Sequence, residues 1–526
     1  MLLSISGFQG TIPRLHPRLL PDSFAQEAHN ARLDDGALSP IRAPADTFSL
    51  PGQRRTFLRH QGVWRSWTGE VDAAPGPVAD DRLYWTGDGA PKVEAGGVTY
   101  DLALPPPSSA PSLSVPAGET QPGGETPVEE VIYVYTFVTE LDEESAPSLP
   151  SDPVYYADGD VIRVSGFEAP PAGRGVDRIR LYRSQTSLSG DTSFYYVAEF
   201  YTTTIQYDHD LAAEPMQELL PTFDYDMPPA TLSGLTPMPN GMMAAFTQRE
   251  LRFCEPYRPH AWPRKYELTT EHPIVALAAL GSTLIVLTTG RPYIAQGTHP
   301  ENMVMEQLEQ DLPCVSARGV VDLGYAAVFP SADGLARITP QGGQIVSRPL
   351  FSRDDWRALA PSTFEATSYN GRYLYACRPE AGQPRKVGFI DLSGERPFHA
   401  TADGRACAFW RDLTTGEVFF LEGDYTGDLI RQWDAGAAQT MRWRSKRAVL
   451  PTVTNFGVFM ADTEGGASFT ARVYADGALI HSETTPNAPV RLPGGFLADT
   501  WEIEVETDMT VSALYLAGAV PDLFGG

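Results

Sequence analysis

The sequence predicts a mainly β protein, with a β-propeller-like region and an additional small β-sandwich. Three observations predict it. The 526 residues include 47 Gly and 46 Pro while the 3.6-residue apolar period is scarce, a combination expected of many short strands joined by turns. Clean strands such as Glu130–Thr139, and the alternating run Ile179-Arg180-Leu181-Tyr182-Arg183-Ser184, suit half-buried antiparallel sheets. Turn pairs at Asn240-Gly241, Asp333-Gly334, Asn370-Gly371 and Asp403-Gly404, with a related break at Gly281-Ser282, punctuate the second half at intervals near the length of one propeller blade. A blade number of about five or six follows from those intervals. The chain is too long for one core, so about three or four domains are expected, and 42% apolar content with 10% aromatics is enough to fill them.

Taken in order, residues 1–44 are rich in Pro and Arg, with a short helix expected from Asp22 to Leu33, capped by Asp22 or Ser23 and ended by Asp34-Asp35-Gly36. An arm of this composition cannot bury itself and should dock on its own chain or on a neighbouring subunit. Thr56-Phe57-Leu58-Arg59 and Arg82-Leu83-Tyr84-Trp85-Thr86 read as strands with one wet face. A low-complexity linker from Leu104 to Pro127 is stiff at its three prolines, 105–107, and flexible at Gly123-Gly124.

The next hundred residues, with strands at 130–139, 161–164, 178–183, 195–201 and 204–207, form a fibronectin-like sandwich closed by the double proline at 228–229. Within the propeller region, Met242–Phe246 and Leu251–Cys254 form a hairpin followed by Pro256, Pro259 and Pro263, which should present Tyr257, His260 and Trp262 from a rigid extended segment. The last unit contains strands near 442–446, 457–460, 469–474, 501–505 and 511–517, with turns at Asp476-Gly477 and Pro493-Gly494-Gly495. The expected domains are therefore 1–120 (arm and platform part), 126–228 (sandwich), 231–440 (propeller) and 441–526 (C-terminal β unit).

A formal charge of −26 argues against a protein that grips nucleic acid by its phosphates. It permits two readings: a soluble surface, or a negative wall along which a duplex slides without adhering. The four cysteines, Cys254, Cys314, Cys377 and Cys407, match neither a zinc knuckle nor a redox pair and read as reduced, partly buried hydrophobes. The N-terminus carries no basic leader and no apolar run is long enough to cross a bilayer, so the protein is expected to be made in a cytoplasm and kept there until assembly.

Several phrases carry a family resemblance. Gly7-Phe8-Gln9-Gly10 with Pro13-Arg14, Leu19-Leu20-Pro21 and Ala28-His29-Asn30-Ala31-Arg32-Leu33 open it. The 239–263 segment, Pro273–Leu277, Leu284–Tyr293, Leu312–Ser316 and Phe329–Leu335 continue it. Together they resemble the tail nozzle or tail hub of short-tailed bacteriophages, over nearly the whole length. The resemblance implies that the C-terminal unit returns to pack with the N-terminal region, so that the propeller is inserted in a β-rich platform. It also implies a structural role and no enzyme activity, with six copies in a ring prolonging the portal and adaptor channel in the tail of a virion assembled in a bacterial host. The implied partners are other copies of this chain, the tail adaptor and portal, and tail fibre or spike proteins. Double-stranded DNA would pass transiently without tight binding. Phe8, Pro13, Leu19, Leu20, Tyr257, His260 and Trp262 are the candidate interface or packing residues.

Candidate chemistry is sparse, and no cofactor, metal ion or catalytic residue is expected. Ser331-Ala332-Asp333-Gly334 and Thr401-Ala402-Asp403-Gly404 look like glycosidase turn motifs but lack the full spacing to a following Trp, and read as Asp-Gly hairpin turns. Asp142-Glu143-Glu144 is the densest acidic cluster; it reads as a solvated hairpin tip or, in a symmetric assembly, as a lumen-facing acidic ring. No HExxH, GxSxG elbow or phosphate-binding glycine loop stands out. The alternatives from other classes are a receptor- or glycan-binding tail adhesin and a propeller glycosidase.

Overall fold

The computed structural model describes residues 1–118, 123, 128–186, 192–211, 218–380, 382–394, 396–423 and 427–524. Most of the linker's second half, including Gly124 of the expected joint, lies outside the described residues. The fold is mainly β: propeller-like four-stranded sheets inserted in a β-rich platform, with a small sandwich. Among the described residues the α-helices are Arg353–Ala358 and Pro521–Phe524. The chain forms two compact units, Met1–Glu70 with Ala278–Ile294 and Glu306–Gly526, and Val71–Leu277 with Ala295–Met305. The segment expected as arm and platform, 1–120, is thus divided at residue 70.

In the first unit both chain ends build the platform. Leu2–Ile5 pairs antiparallel with Thr510–Ala517, which also pairs with Val458–Glu464. Ala25–His29 lies inside a ten-stranded sheet, parallel to Phe398–Ala402 on one side and antiparallel to Met441–Ser445 on the other. The helix expected at 22–33 is therefore replaced by the strands Ala25–His29 and Ala31–Arg32. The reason is local. A register shift between Ala25 and Glu27 puts Ala25 and Ala28 on one buried face, so a bulged strand shows the three-residue spacing of a helix turn. Beside it Phe8 is wholly buried, edge-to-face with Trp443 at 4.9 Å, and the Trp443 indole donates to the Gln9 carbonyl at 3.0 Å. Residues 1–44 dock on their own chain.

The same unit contains antiparallel meanders at 321–345 and 365–402. A third sheet, of Ala406–Arg411, Val418–Gly423 and Gly427–Gln432, takes its fourth strand from Ala45–Arg54, so an N-terminal segment completes a sheet made mostly by residues near 420. Asn370-Gly371, both at positive φ, makes the tight hairpin expected of it. Asp403-Gly404 does not: it links strands of different sheets, and the Asp403 carboxylate instead accepts from the Asn30 amide at 2.8 Å. Pro493-Gly494-Gly495 is likewise no hairpin, since Val490–Arg491 pairs with Val458–Glu464 and not with the following strand.

In the second unit the four-stranded sheets at 72–101 and 233–269 share a core of Tyr84, Val93, Leu235, Met243, Cys254 and Trp262. The sandwich packs Tyr133–Thr139, Val176–Thr186 and Thr192–Tyr201 over a core that includes Tyr135, Phe137, Ile162, Val164, Ile179 and Leu181. Part of the expected linker joins it: Ser112–Ser114 pairs with Val161–Ser165. All four cysteines are buried thiols.

Candidate functional site

The acidic cluster sits where Tyr133–Thr139 ends. Asp142 adopts φ 58° and turns outward, while Glu143 and Glu144 turn inward. The expectation of a solvated tip is corrected for these two, because arginines from separate segments meet them: Arg180 of the opposing strand reaches Glu144, while Arg174 and Arg82 reach Glu143. Glu144 accepts from Thr136 Oγ1 at 2.7 Å, Tyr182 OH at 2.6 Å and Arg180 at 2.7 Å. Burial and the Glu144 charge push the Tyr182 hydroxyl well above its ordinary range. Glu143 pairs with Arg174, which is buried to the same degree, with Arg82 Nη1 at 3.9 Å. Asp142 stays exposed, and a hydrogen bond from Arg178 at 2.7 Å holds its carboxyl below the usual range.

His260 closes this network. Its Nε2–H donates to the Glu144 carbonyl at 3.0 Å, which leaves Nδ1, 3.9 Å from Glu143 Oε1, without a hydrogen bond. Burial pulls its pKa down to about 4, so the ring is neutral and serves as a packed strut. The expected extended presentation of the three aromatics is corrected too. Hydrogen bonds from Arg258 to Glu255, from Ala261 to Arg258 and from Glu255 to Ala261 curl the proline segment into a closed loop. Trp262 is 1% exposed and donates to the Pro259 carbonyl at 2.7 Å. Tyr257, at φ 58°, remains half exposed and lies over Gly241, where an added Cβ would come within 2.6 Å of its ring.

Of the remaining candidate interface residues, Phe8 and Leu20 are buried in the first unit, and Pro13 and Leu19 are exposed. The surface set reduces to Pro13, Leu19 and Tyr257, with no contact among them shown.

Two features escaped the sequence reading. One is the arginine set around Glu143 and Glu144. The other is a charge ladder on the platform sheet, where Glu502, Glu504 and Glu506 alternate along one strand between arginines of both neighbours. Arg472 reaches Glu504 at 2.7 Å and Glu506 at 3.0 Å; Glu502 holds Arg444 at 2.8 Å and Arg447 at 2.7 Å. Burial would raise the Glu502 pKa, but hydrogen bonds from Gln26, Arg447 and Arg444 outweigh it and hold the carboxyl low. The two-residue period of Glu in 502–506 was the available signal; its partners could be assigned only from the register.

Negative charge is unevenly divided. Residues 71–277 and 295–305 carry 32 acidic against 12 basic side chains, a balance of −20, leaving 34 against 28, or −6, for the rest. Among the described residues no group of three or more His, Cys, Asp or Glu is placed to hold a metal ion, and no helix is long and apolar enough to cross a membrane.

No family model matches the chain, and no curated protein matches it. Solved structures similar to parts of it include a structural-genomics protein of unknown function from Bacteroides thetaiotaomicron, at 12% identity over 62% of this chain and 91% of that one, with a TM-score of 0.26. The AfRom2 CNH domain is similar at 10% identity over 74% and 97%, with a TM-score of 0.28. An exo-β-1,3-galactanase from Phanerochaete chrysosporium is similar at 9% identity over 89% and 99%, with a TM-score of 0.17. At these identities and scores the similarities say nothing of what this chain does.

Proposed function

We propose that this chain is a structural subunit of a bacteriophage tail, a nozzle or hub protein that forms a ring, of six copies, continuing the portal and adaptor channel. It acts by shape and repulsion. A rigid platform tiles into a wall, and an acidic surface keeps exiting DNA from adhering. The observation that carries the reading is the concentration of −20 in the second unit, because a duplex bearing one charge per ~1.7 Å is repelled most by charge gathered in one place. The platform adds support: strands from both chain ends lie in its sheets, giving the stiffness a load-bearing wall requires.

The test is to image the purified chain by negative stain, alone and with a short-tailed phage portal and adaptor, and to measure duplex binding at low salt. A hollow ring joined to the adaptor, with no shift of the duplex, is expected. A particle that stays monomeric in both preparations, or one that retains DNA, would overturn the reading.

A further inference from the structure

The first unit carries arginines that no carboxylate of the described residues neutralises. Residues 12–19 make two consecutive turns, closed by the Leu15 amide on the Ile12 carbonyl at 2.9 Å and the Leu19 amide on the His16 carbonyl at 2.8 Å, so Arg14 and Arg18 stand within about 14 Å of each other along the chain. The Arg14 guanidinium donates to the Arg348 carbonyl, which brings Arg348 to the same place. Among the described residues Arg14, Arg18 and Arg348 form no ion pair, and all three are exposed. The neighbouring cations are already paired, Lys446 with Asp22 at 2.7 Å and Arg447 with Glu502 at 2.7 Å. Apolar surface lies among them. Leu19 is 71% exposed, and the Arg447 amide donates to the Pro17 carbonyl at 3.2 Å, so the strand Ala448–Thr454 with its half-exposed Val449 starts beside the turn. Arginine mixed with apolar side chains is the composition of a protein-binding surface.

The second unit carries the opposite. In the two-stranded ribbon of Glu129–Val131 and Val154–Tyr156, Glu130 lies across from Tyr155, and Asp152 and Asp158 flank the second strand. Glu130, Asp152 and Asp158 are exposed, and no cation pairs with any of them among the described residues, in contrast to Glu129, which accepts from the Tyr156 hydroxyl at 2.7 Å. Asp152 and Asp158 are separated by at most about 20 Å of chain, so the three carboxylates occupy a patch comparable in span to that of the three guanidinium groups.

We propose that these two patches meet across copies: the Arg14, Arg18 and Arg348 surface of one chain docks on the Glu130, Asp152 and Asp158 ribbon of the next. The partner is a second copy of this chain, and the proposal rests on the ring reading above. A closed ring is built from head-to-tail contacts, which need two different and complementary surfaces on every copy, whereas a self-complementary patch would stop at a dimer. Positive charge on one patch and negative charge on the other supply that difference. They fix which face meets which, while chains of −26 repel one another in other orientations. A phosphate backbone would also neutralise the arginines, but it leaves Leu19 and Val449 in water and meets the field of the whole acidic chain.

The test uses full chains in sedimentation velocity at physiological salt, with urea midpoints to show that each variant folds. Arg18→Glu with Arg348→Glu, at side chains that bond to nothing else among the described residues, should weaken association about 10-fold or more, and Glu130→Arg with Asp158→Arg should do the same. All four substitutions in one chain leave the net charge at −26 and should restore association. Association equal to the parent's in either paired variant, or no recovery in the fourfold variant, would overturn the proposal and leave the ring reading standing. A parent chain that stays monomeric with portal and adaptor would overturn both. A duplex retained by the parent and released by Arg18→Glu with Arg348→Glu would assign the arginine patch to nucleic acid and overturn the proposal as well.

Discussion

Glu365 and Glu502 show how placement decides the behaviour of one side-chain type. Both are buried, but Glu502 receives close hydrogen bonds from Gln26, Arg444 and Arg447, whereas arginine atoms stand 3.6 Å and more from Glu365. For Glu365 burial raises the folded pKa to about 7, above its ordinary value of 4.5, so the folded state holds its proton over a window in which the unfolded state has lost it. Stability therefore falls as pH rises through that window and levels off above about 7, by about 3 kcal/mol in total. Glu365→Gln should remove this loss, seen as urea midpoints nearly equal at pH 5 and pH 8 where the parent chain declines. At Glu143 and Arg174 the opposite applies. Glu143→Gln leaves a buried guanidinium unpaired and should cost about 3–5 kcal/mol in urea unfolding, whereas Glu143→Leu with Arg174→Met should cost much less.

Among elements, the N-terminal strands matter most. Ala25–His29 satisfies hydrogen bonds of strands on both sides, and Phe8 fills the space over Trp443. Deleting residues 1–44 should therefore abolish folding of the first unit, seen as loss of its protease resistance, and would not merely block assembly. Phe8→Ala should cost about 3–5 kcal/mol through the cavity it leaves, measured as a lowered denaturation midpoint. Leu19→Asp, at an exposed position, should leave stability unchanged, so a failure of that variant to join tails would locate an interface there. The elements legible beforehand were those with an unbroken β-branched and aromatic run, a two-residue period or an Asn-Gly turn, such as 133–139, 178–183 and 370–371. The strand at 25–29 was not, because its bulge disguises that period.

At the scale of the molecule, the charge balance makes a prediction independent of any one residue. With −20 in one unit, the chain should show no duplex binding at low salt, where surface electrostatics are strongest, and adding salt should not produce it. A mobility-shift titration against ionic strength checks this; retention of DNA at low salt that is lost on adding salt would reveal a cationic face. The acidic total was legible in composition, but its distribution was not, because units here are assembled from segments distant in sequence.

By itself the sequence determined the β class, the sandwich strands, the turns with obligatory positive φ and the overall acidity, because each depends on local periodicity, backbone freedom or simple composition. Only the tertiary structure decided which carboxylates are buried and that residues 1–44 are woven into the platform. Those depend on strand register and on contacts across hundreds of residues, and no local pattern in the chain encodes which distant strand will lie alongside.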